Sequence, residues 1–371
     1  MPPTLKILFA IAREGVCLKS LLLPVAGQSS RYEGTRPKWL LTMPDGRLMI
    51  EQSVEQIGHE GFDRIMVICL KEHVDRYSSF ERMIELFRRS ISPKVELLLL
   101  DAPTSSQVET IAQAAQRGKI EGAFLVKDCD NTFAFQYKGG NEVAVADLHQ
   151  LSKINAGNKS YVQTNPMGVI TNIVEKHVIS NLFCCGAYGF ASANQFLERW
   201  EKLKQHPDLY LSHVIFDMIL DGCEFEASKV SGYQDWGTLK DYREFCDRHL
   251  VVFCDVDGVL MKNSSKFAPS SWEYAPIQKN IEALRALQDS GNLYLIVTTS
   301  RPYEEKPNLD AALSAFGLNV EHYVMGLPHA ARLLINDFSS TNPYPTATAI
   351  NLERDSASLN LMLGRFTALR G

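Results

Sequence analysis

Apolar runs of strand length recur at residues 21–25, 64–69, 95–100, 123–126, 250–254, 293–298 and 333–335, with helix-like patterns between them. A strand that is apolar without alternation has both faces buried, and in parallel sheets helices cover those faces. The pattern therefore predicts an α/β protein. At 371 residues the chain exceeds what one core usually organises, so two domains are expected. Between 190 and 237 the alternation loosens, with helical patterns at 193–205 and 211–220. A turn at Asp235 to Thr238 then leads into a last helix before the strand at 250. The connection is only a few residues long. It divides the chain into an extension or extra element over 1–18, a first domain over 19–247 and a second over 248–371.

The formal net charge of -5 offers no general attraction to nucleic acid or to anionic lipid. An anionic substrate would have to be held by local cations or a metal. Eight cysteines are scattered without a CxxC pair or zinc-like spacing, several within apolar runs, which suits buried reduced thiols in a cytoplasmic protein. No apolar run approaches the ~18 residues that a bilayer span needs. The run at 5–12 is too short, and it lacks the small-residue pattern of a cleaved leader. The sequence leaves a homo-oligomer open.

Two stretches carry chemistry. In the first, the strand at 21–25 runs through Ala26 and Gly27 into Ser29, Ser30 and Arg31, with Pro37 and Lys38 beyond. A loop of small residues lets backbone N–H groups approach a triphosphate, and Arg31 and Lys38 would neutralise its charge. This pattern resembles that of the sugar-phosphate nucleotidyltransferase family, and the resemblance continues in order to about residue 245. It implies a Rossmann-like (GT-A-like) domain with a mixed sheet. It also implies that Gln107 meets the nucleobase, that Asp130 binds Mg²⁺ with Asp128 as its competitor, and that Asp235 is the second ligand. Glu175, Lys176 and Gly186 would lie on the acceptor side. Arg36 would be either a third phosphate cation or simply exposed. The reaction would bring a phosphate in line with the α-phosphorus of a nucleoside triphosphate while charge builds on the departing pyrophosphate.

In the second stretch, Asp255 and Asp257 stand two residues apart at the end of a buried strand and are followed by Gly258. Ligands of α/β folds bind outside the carboxyl ends of strands. The Asp-x-Asp-Gly pattern resembles the haloacid dehalogenase (HAD) superfamily, which implies a doubly wound parallel sheet. In that resemblance Asp255 is the nucleophile that forms an aspartyl phosphate, Asp257 the general acid and Thr299 the phosphate-binding hydroxyl. Asp255, Asp257 and Asp337 would share Mg²⁺. The phosphate-facing cation has two candidates, Lys306 and Arg332, of which Arg332 leads straight into the acidic segment; His329 reads as a loop residue. Between 257 and 299 there is one helical pattern, at 277–290, which leaves no room for a large cap.

The expected protein is thus a bifunctional, Mg²⁺-dependent enzyme. It would transfer a nucleotidyl group from a nucleoside triphosphate to a sugar phosphate or similar phospho-metabolite and release pyrophosphate. A phosphatase-type domain would act on a related intermediate, such as one feeding polysaccharide synthesis. Two alternatives stand beside it: a second domain that only binds or dimerises, and a cytidylyltransferase for a phosphocholine- or phosphonate-like acceptor. The nucleotide base and the acceptor stay open.

Overall fold

The computed structural model describes residues 18–27, 36–150, 156–263, 275–337 and 347–370, and only the backbone of 150 and 365–370. The chain divides into two compact units, Met1–Tyr242 and Arg243–Gly371.

In the first unit the strands are β1 (Lys19–Pro24), β2 (Arg64–Leu70), β3 (Val95–Leu100), β4 (Ala123–Lys127), β5 (Asn131–Ala134), β6 (Glu142–Asp147), β7 (Tyr161–Thr164), β8 (Ile170–Val174), β9 (Leu182–Phe190), β10 (Glu226–Lys229) and β11 (Ser231–Asp235). Among the described residues nine of them form one sheet in the order β10-β6-β9-β4-β1-β2-β3, with β7 joining β8 to β9; β5 and β11 form a separate ribbon. The β3-β2-β1-β4 half is parallel, whereas β9 runs antiparallel to both β4 and β6. The sheet is mixed.

Burial explains why the parallel half reads as unbroken apolar runs. Leu21, Leu23 and Val25 enter one core cluster while Leu22 and Ala26 enter another, so alternate residues of one segment feed opposite faces of the sheet. On β4, Ala123 and Leu125 likewise part from Phe124 and Val126. Helix Gln107–Arg117 and helices Ala193–Leu203 and Leu211–Leu220 cover one of these faces. Because β1 to β4 are parallel, the segments following β1, β3 and β4 emerge at the same edge, and that edge carries the cleft described below.

In the second unit β12 (Leu250–Asp255), β13 (Leu293–Thr298) and β14 (His322–Val324) form a parallel sheet in that order. Helices Gln278–Asp289 and Lys306–Ala315 contribute Ile281, Leu284, Leu309 and Leu313 to the core with Cys254, Leu295 and Val297. One expectation is corrected here. The run at 333–335 is not a strand: residues 331–337 are irregular, and Leu333 and Ile335 are 84% and 85% exposed. A strand is made by a ladder partner rather than by apolar composition, and β14 offers an edge of only three residues. On β12, Val251 and Phe253 are 60% and 56% exposed.

No helix among the described residues is long and apolar enough to cross a membrane. The described cysteines, at 69, 129, 184, 185, 223, 246 and 254, are all free thiols.

Candidate active site

At the carboxyl edge of the first unit's parallel strands lies a cleft of about 510 Å³. Gly27 after β1, Thr104 to Gln107 after β3, and Asp128 to Asn131 after β4 line one part of it. Asn158 to Ser160, Glu175, Gly186, Tyr210 to Ser212 and Asp235 line the rest.

Two carboxylates are brought together by the β5/β11 ribbon. Asp235 is paired in register with Asn131, and the Trp236 N–H donates to the Asp130 carbonyl at 2.8 Å, which places Asp130 beside the end of β11. Gly237 keeps the space between them open. A Cβ there would lie 3.0 Å from Asp235 Oδ1 and 3.8 Å from Asp130 Oδ2. Each carboxylate carries an ammonium: Lys38 Nζ lies 2.5 Å from Asp130 Oδ2, and Lys159 Nζ lies 2.6 Å from Asp235 Oδ2. The Tyr233 hydroxyl also accepts from Lys159, at 2.7 Å.

The surroundings drive neighbouring carboxyls apart in acidity. Burial alone would raise the Asp130 pKa, but Lys38, then Lys159 and Lys127, hold it well below the usual carboxylate range. For Asp128 burial comes first and the Asp130 charge adds to it, so its pKa rises to about 6 against the opposing pull of Lys127, Gln107 and Lys38. Asp130 is therefore the more anionic of the two. Beneath them Lys127 is fully buried and donates to the Asp128 carbonyl (2.6 Å), the Asn131 carbonyl (2.9 Å) and Asn131 Oδ1 (2.6 Å). Desolvation lowers its pKa to about 8.

Gln107 opens helix Gln107–Arg117, whose start is set locally. The Ser106 hydroxyl accepts from the Glu109 N–H, and the Glu109 carboxylate accepts from the Ser105 N–H at 2.7 Å. So held, Gln107 Nε2 donates to Asp128 Oδ1 at 2.5 Å. Glu175 accepts from the hydroxyls of Ser160 and Ser212 at 2.5 and 2.8 Å. Gly186, at φ +90°, lets β9 pass against Asp128 and Asn131.

Of the residues that the motifs pointed to, Lys38, Gly27, Gln107, Glu175, Gly186, Asp130 and Asp235 share this cleft wall. Lys176 does not line it: its side chain is exposed and donates to the Tyr210 hydroxyl at 2.5 Å. Ala26 is buried in the core. Ser29, Ser30 and Arg31 lie outside the described residues, as do residues 1–17. Sequence reasoning missed Lys127 and Lys159. The first sits inside a strand, and the second belongs to no loop with phosphate-binding spacing.

The donor set suits a hard divalent cation. Asp130 and Asp235 are oxygen ligands facing a shared space, and Mg²⁺ characteristically takes one or two carboxylates and fills its remaining positions with water and substrate oxygens. Among the described residues no group of three His, Cys, Asp or Glu side chains is gathered into a self-sufficient metal cage.

In the second unit Asp255 ends β12, paired in register with Thr298 of β13. Arg332 Nη1 lies 3.1 Å from Asp255 Oδ2. Arg301, fully buried, grips Asp257 through two bonds, Nη2 to Oδ1 at 2.7 Å and Nε to Oδ2 at 3.1 Å. Thr299 Oγ1 donates to Asp257 Oδ2 at 3.4 Å and accepts from the Arg301 N–H at 3.1 Å. Asp255, Asp257, Thr299 and Arg332 thus cluster at one strand end, while Asp337 sits on the exposed irregular segment. Lys306, the other candidate cation, lies 5.4 Å from the Tyr323 ring centre. The buried partner of Asp257 is Arg301, visible in the sequence two residues after Thr299 but assigned no role there.

No family model and no curated protein matches this chain. Among solved structures, a nucleoside-diphosphate-sugar pyrophosphorylase from Vibrio cholerae RC9 matches with a TM-score of 0.52 at 20% identity, over 61% of this chain and 99% of that one. An inositol-1-phosphate CTP transferase from T. maritima matches at 0.48 and 14% identity, over 61% and 92% of the two chains. The UTP-bound UGPase of Acinetobacter baumannii matches at 0.47 and 18%, over 62% and 92%. With its mixed, parallel-rich sheet, the matched part of this chain has the fold of the Vibrio cholerae pyrophosphorylase.

Proposed function

We propose that the first unit transfers a nucleotidyl group from a nucleoside triphosphate to a sugar phosphate or similar phosphorylated acceptor, releasing pyrophosphate. The observation that carries this reading is the Asp130–Asp235 pair facing one space in a cleft that also holds Lys38, Gln107 and Glu175. Solved proteins of the same fold are described as acting in this class of reaction, among them the Vibrio cholerae pyrophosphorylase. Asp130 and Asp235 would hold Mg²⁺, which would supply charge neutralisation between the reacting phosphates.

The chain's own residues do the positioning. Lys38 beside Asp130 stabilises charge on the triphosphate, and Gly27 lets it approach the backbone. Gln107, braced by Asp128, presents an amide to the base. Glu175, held by two serine hydroxyls, offers a carboxylate to acceptor hydroxyls. The acceptor phosphate is itself the nucleophile, so no covalent enzyme intermediate is needed.

For the second unit the proposal is a Mg²⁺-dependent phosphatase of the HAD type acting on a related intermediate, with Asp255 as nucleophile, Asp257 as acid and Thr299 and Arg332 at the phosphate. The clustering of those four side chains supports it. A second reading, a binding or dimerisation module without catalysis, is favoured by the double grip of Arg301 on Asp257 and by the exposed segment bearing Asp337. One experiment separates them: nucleoside triphosphates are screened against phosphorylated acceptors with Mg²⁺, and pyrophosphate and phosphate release are followed separately. Asp255→Asn is expected to abolish phosphate release and spare pyrophosphate release. Phosphate release that survives the substitution refutes the phosphatase, and absence of pyrophosphate from every pairing refutes the transferase.

A further inference from the structure

Lys159 belongs to no recognised motif, yet it is one of two lysines among the described residues of the cleft wall, the other being Lys38. Its ammonium lies 2.6 Å from Asp235 Oδ2 and 2.7 Å from the Tyr233 hydroxyl, and 5.4 Å from the centre of the Tyr233 ring. The pair is largely shielded from solvent, with the two side chains 16% and 22% exposed. Lys176, to which the acceptor-side motif pointed, does not line the wall, and its exposed side chain donates to the hydroxyl of the wall residue Tyr210. The next residue along the chain from Lys159, Ser160, donates to Glu175, so Lys159 stands on the acceptor side of the cleft.

Asp130, Asp235, Lys38 and Lys159 sum to zero, so the set needs no further cation to be balanced. Admitting a divalent ion leaves a surplus of two positive charges, which a phosphate dianion matches. A lysine bonded to a carboxylate oxygen also blocks that oxygen as a ligand.

Resting on the transferase reading, we propose that Lys159 is a built-in competitor of the divalent cation at Asp235, and that its ammonium, once displaced, receives the acceptor's phosphate. The Tyr233 hydroxyl keeps the displaced ammonium within the cleft. Binding of metal and acceptor would then be linked through one side chain.

The test titrates Mn²⁺ into the nucleotide-free protein and follows the free ion by electron paramagnetic resonance. Lys159→Met removes the competing charge; Lys159→Gln removes the charge but keeps a donor for Asp235 and Tyr233, which guards against a folding defect. Both are expected to bind Mn²⁺ more tightly, on the order of tenfold for one unit charge removed at contact distance. In pyrophosphate release the acceptor KM should rise by about tenfold or more while the nucleotide KM holds. Mn²⁺ affinity that is unchanged or weaker in both folded variants overturns the proposal and makes Lys159 a brace for Asp235. An unchanged acceptor KM overturns its phosphate role. If the wild type forms no pyrophosphate at all, the transferase reading has failed, and the Mn²⁺ titration still decides the competition.

Discussion

Substituting Gly186 by alanine tests whether the close passage of β9 past Asp128 and Asn131 sets the cleft's geometry. The residue sits at φ +90°, and a Cβ would come 2.6 Å from Asp128 Oδ2, 2.7 Å from Asn131 Nδ2 and 3.1 Å from Asp128 Cβ. The backbone conformation alone costs an L residue ~1–2 kcal/mol. Overpacking against two polar side chains held by Lys127 and Gln107 adds ~1–3 kcal/mol. The expected loss is therefore about 2–5 kcal/mol in urea unfolding of the first unit. Gly46→Ala is the control, because φ there is +84° with nothing within 4 Å of the added carbon; it should lose only the backbone part. The difference between the two variants measures the close approach. In the pyrophosphate assay Gly186→Ala should also lose activity beyond what unfolding explains, since Asn131 reaches Asp130 Oδ1 at 3.4 Å and moves with the clash. A Gly186→Ala protein no less stable than Gly46→Ala and fully active would refute this reasoning.

Other expectations concern buried charges. Lys127→Met leaves three buried oxygens without their donor and should cost about 3–5 kcal/mol, read by urea unfolding. Arg301→Met should destabilise the second unit by a similar ~3–5 kcal/mol, because Asp257 then keeps its charge without its partner. Adding Asp257→Leu should restore part of the loss, and a double variant worse than the sum would count against the pairing. The pKa of Asp128 is raised to about 6 from 3.8, so its contribution falls as pH rises between those values, when the buried group must ionise. Asp130 has the opposite sign: its pKa is depressed, so its contribution is present above the unfolded value and lost as pH falls. Unfolding at about pH 4 and about pH 7 should therefore show Asp128→Asn gaining on the wild type by up to ~3 kcal/mol at the higher pH.

The parallel strands were legible because burial on both faces leaves an unbroken apolar run, as in Leu21 to Val25. The antiparallel half was not. β9 carries two cysteines and two glycines where a strand pattern would hold branched residues, although all but its first residue are buried. β11 is polar, and it is held by its ladder with β5 rather than by burial. Asp130 and Asp235 stood out because each lies in a short motif. Lys127 and Lys159 did not, since a lysine's role depends on which carboxylates the fold brings to it from distant positions. The opposite error fell at 333–335, where three apolar residues suggested a strand that β14 has too short an edge to pair.

Asp130 and Asp235 are expected to act together on phosphate. The most direct measurement is the rate of Mg²⁺-dependent pyrophosphate release by the wild type, Asp130→Asn and Asp235→Asn, with triphosphate and acceptor held at the pair that the screen identifies. Each substitution keeps the shape of the side chain and removes one ligand charge, and each should slow the reaction on the order of 10²–10³-fold with the protein still folded. Near-wild-type rates in either variant would contradict the paired-carboxylate site.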